Sequence, residues 1–159
     1  MVRNYTNFEQ GKRLAGLGIN QKTADAEWVV INEEISPSYY LFPKDQGNEK
    51  NTINRTLLDF AKKHWPETVV PSWSLTTLLD MLPPRLYYHG EEYFMEFFKT
   101  PKGEWVIQYP KQGTLFPIVC HQESFDSPID AIYQMVCYLQ EELDDEFTTN
   151  KPGSKEAGV

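Results

Sequence analysis

The residues of this 159-residue chain best suited to holding a metal or attacking a substrate are His64, His89, His121, Cys120 and Cys137. A metal site in a short chain usually declares itself by spacing, Cys-x-x-Cys or His-x-x-x-His, because that spacing sets two ligands on one turn. No pair here has it. Cys120 and His121 are adjacent, so on a strand they would point to opposite faces. The reading is therefore no metal and no cofactor, with both thiols reduced inside the fold. An acid–base cluster is conceivable where Glu91, Glu92 and Glu96 follow His89. Glu96 falls in an aromatic strand, where an isolated carboxylate would titrate high. With Tyr109 from a neighbouring strand, His89 and Glu96 define a candidate pocket for a small ligand or a reaction. The simpler reading of Glu96 is a solvent-facing side chain. Neither a Gly-x-Ser-x-Gly elbow nor a His-Glu-x-x-His helix is present, so no catalytic residue is assigned and a non-enzyme is favoured.

Two further stretches imitate known chemistry. Gly16-Leu-Gly-Ile-Asn-Gln-Lys-Thr23 resembles a phosphate loop, but Gln21 stands where glycine is required and a helix rather than a strand precedes it, so it reads as a helix stop. Leu86 to Phe98 is rich in rings that could stack on bases; stacking sheets need cationic neighbours, and here Arg85 and Lys99 face three glutamates. Core packing is the plainer role. The net charge of −8 points the same way. Residues 112–150 hold eight acids and no Lys or Arg, a distribution that repels phosphate backbones. No direct nucleic-acid partner is expected. The densest acids, Glu141, Glu142, Asp144, Asp145 and Glu146, sit at the end of a helical pattern, where they oppose the macrodipole. A solvated helix end is the bland account; a docking site for a basic protein partner is the sharper one.

The elements that would position these groups follow from periodicity. Ser127-Pro-Ile-Asp130 offers a capped start to a long last helix, with Ser127 and Asp130 as a capping box. Ile129, Ile132, Tyr133, Val136, Leu139 and Leu143 then recur on one stripe, widened by Ala131, Met135 and Tyr138. Asp130, Gln134, Cys137, Glu141 and Asp144 complete a polar strip. So wide an arc requires a sheet on one flank and another element, or a second subunit placing Ala131, Met135 and Tyr138 on a two-fold axis, on the other. Upstream, Phe8 to Leu17 reads as a helix ending at Gly18, and Thr23 to Glu27 as one more turn. Trp28–Ile31 and Ser38–Phe42 form a hairpin. Asn51 to about His64 is a helix whose Ile53, Leu57, Phe60, Ala61 and His64 share a face and which Pro66 stops. Leu75, Leu78, Leu79 and Leu82 mark another, ended by Pro83-Pro84. From Arg85 the period turns to two, and Leu86–His89, Glu92–Lys99, Glu104–Tyr109 and Thr114–His121 predict an antiparallel meander. In it Trp105, Ile107 and Tyr109 face the covered side.

Three blocks carry a resemblance: Phe8-Glu-Gln-x-Lys-x-Leu-x-x-Leu-Gly18 with Thr23-Ala-Asp25, then Pro71-x-Trp-Ser-Leu-x-x-Leu-Leu-x-x-Leu-Pro83, and Asp130-Ala-x-x-x-Met-Val-Cys-x-Leu139. Together, over less than a third of the chain, this pattern resembles a family of small uncharacterised proteins of Bacteroidetes gut bacteria and their phages or mobile elements. Members often carry Glu and Trp where this chain has Gln134 and Tyr138. The resemblance implies a bacterial or phage origin and a cytoplasmic address, and it brings no catalytic residue.

The expectation is thus an α+β chain: an antiparallel β-meander of three or four strands plus an N-terminal hairpin, packed against a long C-terminal helix and two or three shorter helices. Residues 1–146 are read as one domain and 147–159 as a flexible tail. No apolar run is long enough to cross a bilayer and no signal region opens the chain, so neither a membrane nor export is expected. Functionally it reads as a non-catalytic accessory protein acting through its acidic C-terminal surface. A ligand pocket near His89 and Glu96, or a homodimeric structural component, stand as alternatives.

Overall fold

A computed structural model of the chain describes residues 4–32, 36–44, 52–88, 90–111, 117–120 and 124–142. The fold is α+β, with small antiparallel sheets and helices. By contact density the chain divides into two units, Asn4–Thr77 and the part from Leu78 onward.

The first unit is a three-stranded sheet with a helix on each face. Helix α1 (Phe8–Gly16) starts at Asn7, whose side chain accepts from the Gln10 amide while Gln10 returns a bond to the Asn7 amide, a reciprocal capping box. It ends where Gly18 takes a φ of 86°. A 3-10 turn over Gln21–Thr23, capped by Asn20, precedes strand β1 (Ala26–Asn32). The expected extra helical turn is thus displaced upstream, and Ala26 and Glu27 already belong to the strand. Strand β2 (Pro37–Pro43) pairs with β1 as the expected hairpin, Val29 opposite Tyr40 and Glu27 opposite Phe42. Helix α2 (Thr52–His64) follows, then a 3-10 turn at Pro66–Thr68 and strand β3 (Val69–Ser72). Strand β3 was not foreseen. Its Pro71 argues against a strand in general, yet β3 pairs with β1 at a sheet edge, where a missing donor is tolerated. The strand order is β2-β1-β3.

The faces follow from register. Trp28 is opposite Leu41 and Val70, and the α1 face carries these residues; Glu27, Val29 and Ile31 point to the other side, with Tyr40 and Phe42. Beneath α1 lies a buried polar knot. The Thr6 amide donates to the Trp73 carbonyl at 2.9 Å, Trp73 N–H returns to Thr6 Oγ1 at 3.1 Å, and Ser72 Oγ bonds Thr6 O at 2.9 Å. Trp28 Nε1 also donates to Thr6 O, at 2.8 Å. Thr6, Ser72 and Trp73 are completely buried, so each donor here needs these partners. Gly11 permits the close approach: a Cβ on it would lie 2.2 Å from the Pro71 carbonyl oxygen. Helix α3 (Leu75–Met81) starts from Ser74, whose hydroxyl accepts from the Thr77 amide.

The second unit holds two sheets. Strands β4 (Arg85–Tyr88) and β5 (Glu91–Phe94) form a hairpin around Gly90, whose φ is 79°. Strands β6 (Glu96–Lys99), β7 (Trp105–Pro110) and β8 (Pro117–Cys120) form an antiparallel meander. The run Glu92–Lys99, expected as one strand, is split at Met95: the half before it pairs with β4, whose register the Met95 amide extends by donating to the Pro84 carbonyl, and the half after it pairs with β7. The last helix, α4 (Pro128–Glu142), packs on β7. Ile107 and Tyr109 are buried on the side opposite Gln108, in accord with the expected covered face. Ile129, Ala131, Ile132, Tyr133, Met135, Val136 and Cys137 are all buried. Cys137 belongs to the core and not to the polar strip. One detail of the start differs from the sequence expectation: the Ser127 hydroxyl is buried with no hydrogen-bond partner among the described residues, while its carbonyl accepts from Ala131 at 3.2 Å.

Candidate functional site

Of the candidate pocket residues, Glu96 and Tyr109 are both described, and they do not come together. Glu96 is exposed on β6 and accepts from Gln108 Nε2 at 2.7 Å, its register partner on β7. It is therefore not an isolated carboxylate among rings. Tyr109 is the next residue along β7 and faces the opposite side. It is fully buried and its hydroxyl donates to the Pro83 carbonyl at 2.7 Å. Burial pushes the phenol well above its ordinary range. Glu96 and Tyr109 thus lie on different faces of one sheet, and His89 is outside the described residues. At the end of α4, Glu141 is exposed and Glu142 closes the helix, while Asp144, Asp145 and Glu146 lie outside the described residues. Of the three side chains offered for a two-fold axis, Ala131 and Met135 are buried within the chain and Tyr138 is half-buried.

The glycine-bearing loop that imitates a phosphate site is a staple. Thr23 Oγ1 accepts from Trp73 Nε1 at 2.9 Å and donates to Asn20 O at 2.6 Å. Asp25 accepts the Ser74 amide at 2.7 Å and Thr77 Oγ1 at 2.8 Å, and it also takes the Ser74 hydroxyl. Its carboxylate fixes the first turn of α3. Part of the aromatic run of the second unit is committed to packing: Tyr87 and Tyr93 are buried and Phe97 stacks on Trp105 at 5.1 Å, while Phe98 is 42% exposed. Among the described residues no cluster of three or more His, Cys, Asp or Glu could hold a metal ion, and no helix is long and apolar enough to cross a membrane.

The feature that stands apart is in the first unit. The sequence places Ile53, Leu57, Phe60, Ala61 and His64 on one face of α2, and burial is described for the last four. Only Ala61 is buried. Leu57 is 57% exposed, Phe60 49%, and Trp65, just beyond the helix, 53%. Beside them, Ile31 and Tyr40 on the α2 face of the sheet are also about half exposed. These side chains line a groove of about 1040 Å³ between α2, the 3-10 turn after it and strands β1 and β2. Val29, Phe42 and Ala61 contribute to its lining, and Asn32, Glu67 and Thr68 are its polar members. Phe60 meets the His64 ring at 4.3 Å and Trp65 edge-on at 5.4 Å, so the rings support one another without being covered.

Why does the chain leave this surface open? Strands β1 and β2 are apolar at consecutive positions, Trp28-Val-Val-Ile31 and Tyr39-Tyr-Leu-Phe42. Such strands demand cover on both faces. Helix α1 covers one face over nine residues. On the other face α2 is held through Ala61 and through Lys62, whose ammonium pairs with Glu27 Oε1 at 2.7 Å. The ion pair seats the helix over the Glu27 end of the strands and leaves the Ile31 end bare. The second carboxylate oxygen, Glu27 Oε2, is buried with no hydrogen-bond partner among the described residues.

No family model, curated protein or solved structure matches the chain. The site must therefore be judged on its own chemistry. Among the described residues it has aromatic and aliphatic walls, with Asn32, Glu67 and Thr68 as its polar members.

Proposed function

We propose that this chain is a non-catalytic accessory protein that works by binding another protein, and that the groove between α2 and β1–β2 receives an amphipathic helical segment of that partner. The observation that carries the reading is the gathering of Ile31, Tyr40, Leu57, Phe60 and Trp65, all about half exposed, around one groove. Isolated exposed apolar residues are ordinary, whereas a contiguous patch marks an interaction surface. The open shape of the groove, more than its size, favours a peptide over a small molecule. Two turns of an α-helix, about 10 Å across, fill roughly 850 Å³, close to the groove's 1040 Å³, while small-ligand pockets are typically about 300–1,000 Å³ and enclose their ligand. Grooves that accept an amphipathic helix offer this kind of apolar trough to its i, i+3, i+4 anchors. The acidic end of α4, from Glu141 on, is a second contact in this proposal, steering a basic partner toward the molecule. The cytoplasm of a bacterium, with carriage on a phage or mobile element, is the setting implied by the three sequence blocks.

The test uses the full chain and a fluorescein-labelled 14-residue amphipathic peptide built from Leu and Gln, read by anisotropy. Micromolar binding is expected, weakened at least tenfold, about 1.4 kcal/mol, by Leu57→Asp or Phe60→Asp. Both sites are exposed, so the thermal midpoints of these variants should stay near that of the parent chain. Undiminished binding in both variants, or no binding by the parent chain, would overturn the proposal.

A further inference from the structure

We infer that the groove takes its visitor in one direction, with the N-terminus of the visiting helix at the end formed by Asn32 and Glu67. This rests on the groove being a binding site and goes on to how the occupant lies in it. The polar members of the lining, Asn32, Glu67 and Thr68, are gathered at that end. Asn32 is the last residue of β1. Val29 is opposite Val69 in an antiparallel pairing, so the chain leading back through Thr68 to Glu67 runs beside β1 toward Ile31 and Asn32. The other end is marked by Phe42, opposite Glu27, where the lining is apolar. Glu27 and Asn32 stand five residues apart on β1. That is roughly 17 Å of strand, about the length of an eleven-residue helix.

Asn32 and Glu67 are both exposed, and no hydrogen bond or ion pair engages either side chain among the described residues. Each offers a side-chain oxygen that accepts. An α-helix begins with four amide N–H groups that lack an intrahelical partner, and it carries about half a positive charge there; its far end presents carbonyls and the opposite charge. With the N-terminus beside Glu67, the orphan donors meet acceptors and the dipole meets a carboxylate. Turned round, the carbonyl end faces that carboxylate. The free donors then lie against Leu41 and Phe42, where the lining offers no side-chain acceptor. Apolar anchors on the visitor fit the walls either way. The walls therefore supply affinity, and the polar end supplies direction.

The probe is an eleven-residue Leu/Gln amphipathic helix held by a hydrocarbon staple, acetylated and amidated so that it has no net charge. It is titrated into the full chain by calorimetry at low, fixed ionic strength. Glu67→Gln should weaken binding about twofold to fivefold, the effect of one charge at a helix terminus, and Glu67→Lys should weaken it further. Glu141→Lys makes the same change of net charge on α4 and should leave the affinity unchanged, because the peptide is neutral. A nitroxide on the N-terminus of the peptide should broaden the backbone amide signals of Asn32 and Glu67 more than that of Phe42, and one on its C-terminus the reverse. If Glu67→Lys tightens binding, or the labels broaden the opposite ends, the visitor lies the other way. If neither change at Glu67 moves the affinity, or Glu141→Lys moves it as much, the polar end gives no direction. Each of these results overturns the inference and leaves the groove standing. Undiminished binding in Phe60→Asp, or no binding by the parent chain, is instead a failure of the groove reading itself.

Discussion

Two glycines in one helix should respond to the same substitution with opposite signs. In an exposed helix, replacing Gly by Ala stabilises by about 0.5–1 kcal/mol, because the unfolded chain loses freedom and the helix gains propensity. Gly16, the last residue of α1, has nothing within 4 Å of where a Cβ would sit and no positive φ. Gly16→Ala should therefore follow the general rule. Gly11 lies one and a half turns earlier and faces strand β3. Its Cβ would stand 2.2 Å from the Pro71 carbonyl oxygen and 3.1 Å from Val70 Cγ1, where ordinary contact begins at 3.4 Å. The first obstacle is backbone, which cannot swing aside as a side-chain end can. Relief requires α1 to lift off the sheet, loosening Leu14, which is fully buried, and the Thr6–Trp73 hydrogen bonds beneath. Overpacking of this kind costs about 1–3 kcal/mol, more than the roughly 1 kcal/mol propensity gain, so Gly11→Ala should be destabilising overall. Urea titration followed by far-ultraviolet circular dichroism measures both variants. Gly11→Ala should lower the midpoint and Gly16→Ala raise it slightly. Equal stabilisation by the two would show that the α1–β3 approach is not close, and the packing argument for this face would fall with it.

Other parts of the fold carry their own tests. Asp25→Ala removes the acceptor of the Ser74 amide and of two hydroxyls; at about 1.5–3 kcal/mol for a hydrogen bond to a charged group, the loss should be about 2–4 kcal/mol, and amide exchange at Ser74 should quicken. Unchanged exchange there would show that the carboxylate does not hold α3. Tyr109 has a phenol raised by burial, and the sign is set by the unfolded chain. Its contribution is constant below the ordinary phenol value of about 10 and is lost above it, at up to about 1.4 kcal/mol per pH unit, because only the unfolded form can ionise. Tyr109→Phe should remove that alkaline loss while costing about 1–2 kcal/mol at neutral pH for the bond to Pro83; an identical alkaline profile in the variant would contradict the assignment. Val136→Asp replaces a 5%-exposed side chain of α4, forfeiting about 1.5–3 kcal/mol of burial and placing a charge without a partner in the core. Loss of the near-ultraviolet signal is expected, and a variant that melts like the parent chain would refute the packing of α4.

Much of this architecture is legible in the sequence because local signals and burial agree. The stripe from Ile129 to Val136 gives α4, Gly18 stops α1, the leucines before Pro83 give α3, and alternation after Arg85 gives the meander. Where the sequence misleads, a tertiary fact overrides the local one. Pro71 hides β3 because the proline rule is blind to whether a strand is at an edge. The continuous aromatic run is split at Met95 because its two halves pair with different strands, β4 before it and β7 after it, a change of partner that no periodicity encodes. The candidate site was missed for a related reason. An apolar helix face is presumed to be core, and Leu57 and Phe60 look no different from Leu78. What the sequence does contain is an excess: β1 and β2 are apolar on both faces, with two helices to cover them. Counting required cover against available cover would have pointed to α2.

Strand β2 bounds the groove and lies at the edge of its sheet, with Pro37 at its first position and Pro43 at its last. Neither proline has an amide hydrogen to offer, so a ribbon from another molecule cannot extend the sheet along its full length. That blunted margin guards a tyrosine-rich strand against self-association. If the groove receives a partner as proposed, these prolines favour reading the visitor by its side chains over main-chain pairing along the whole edge.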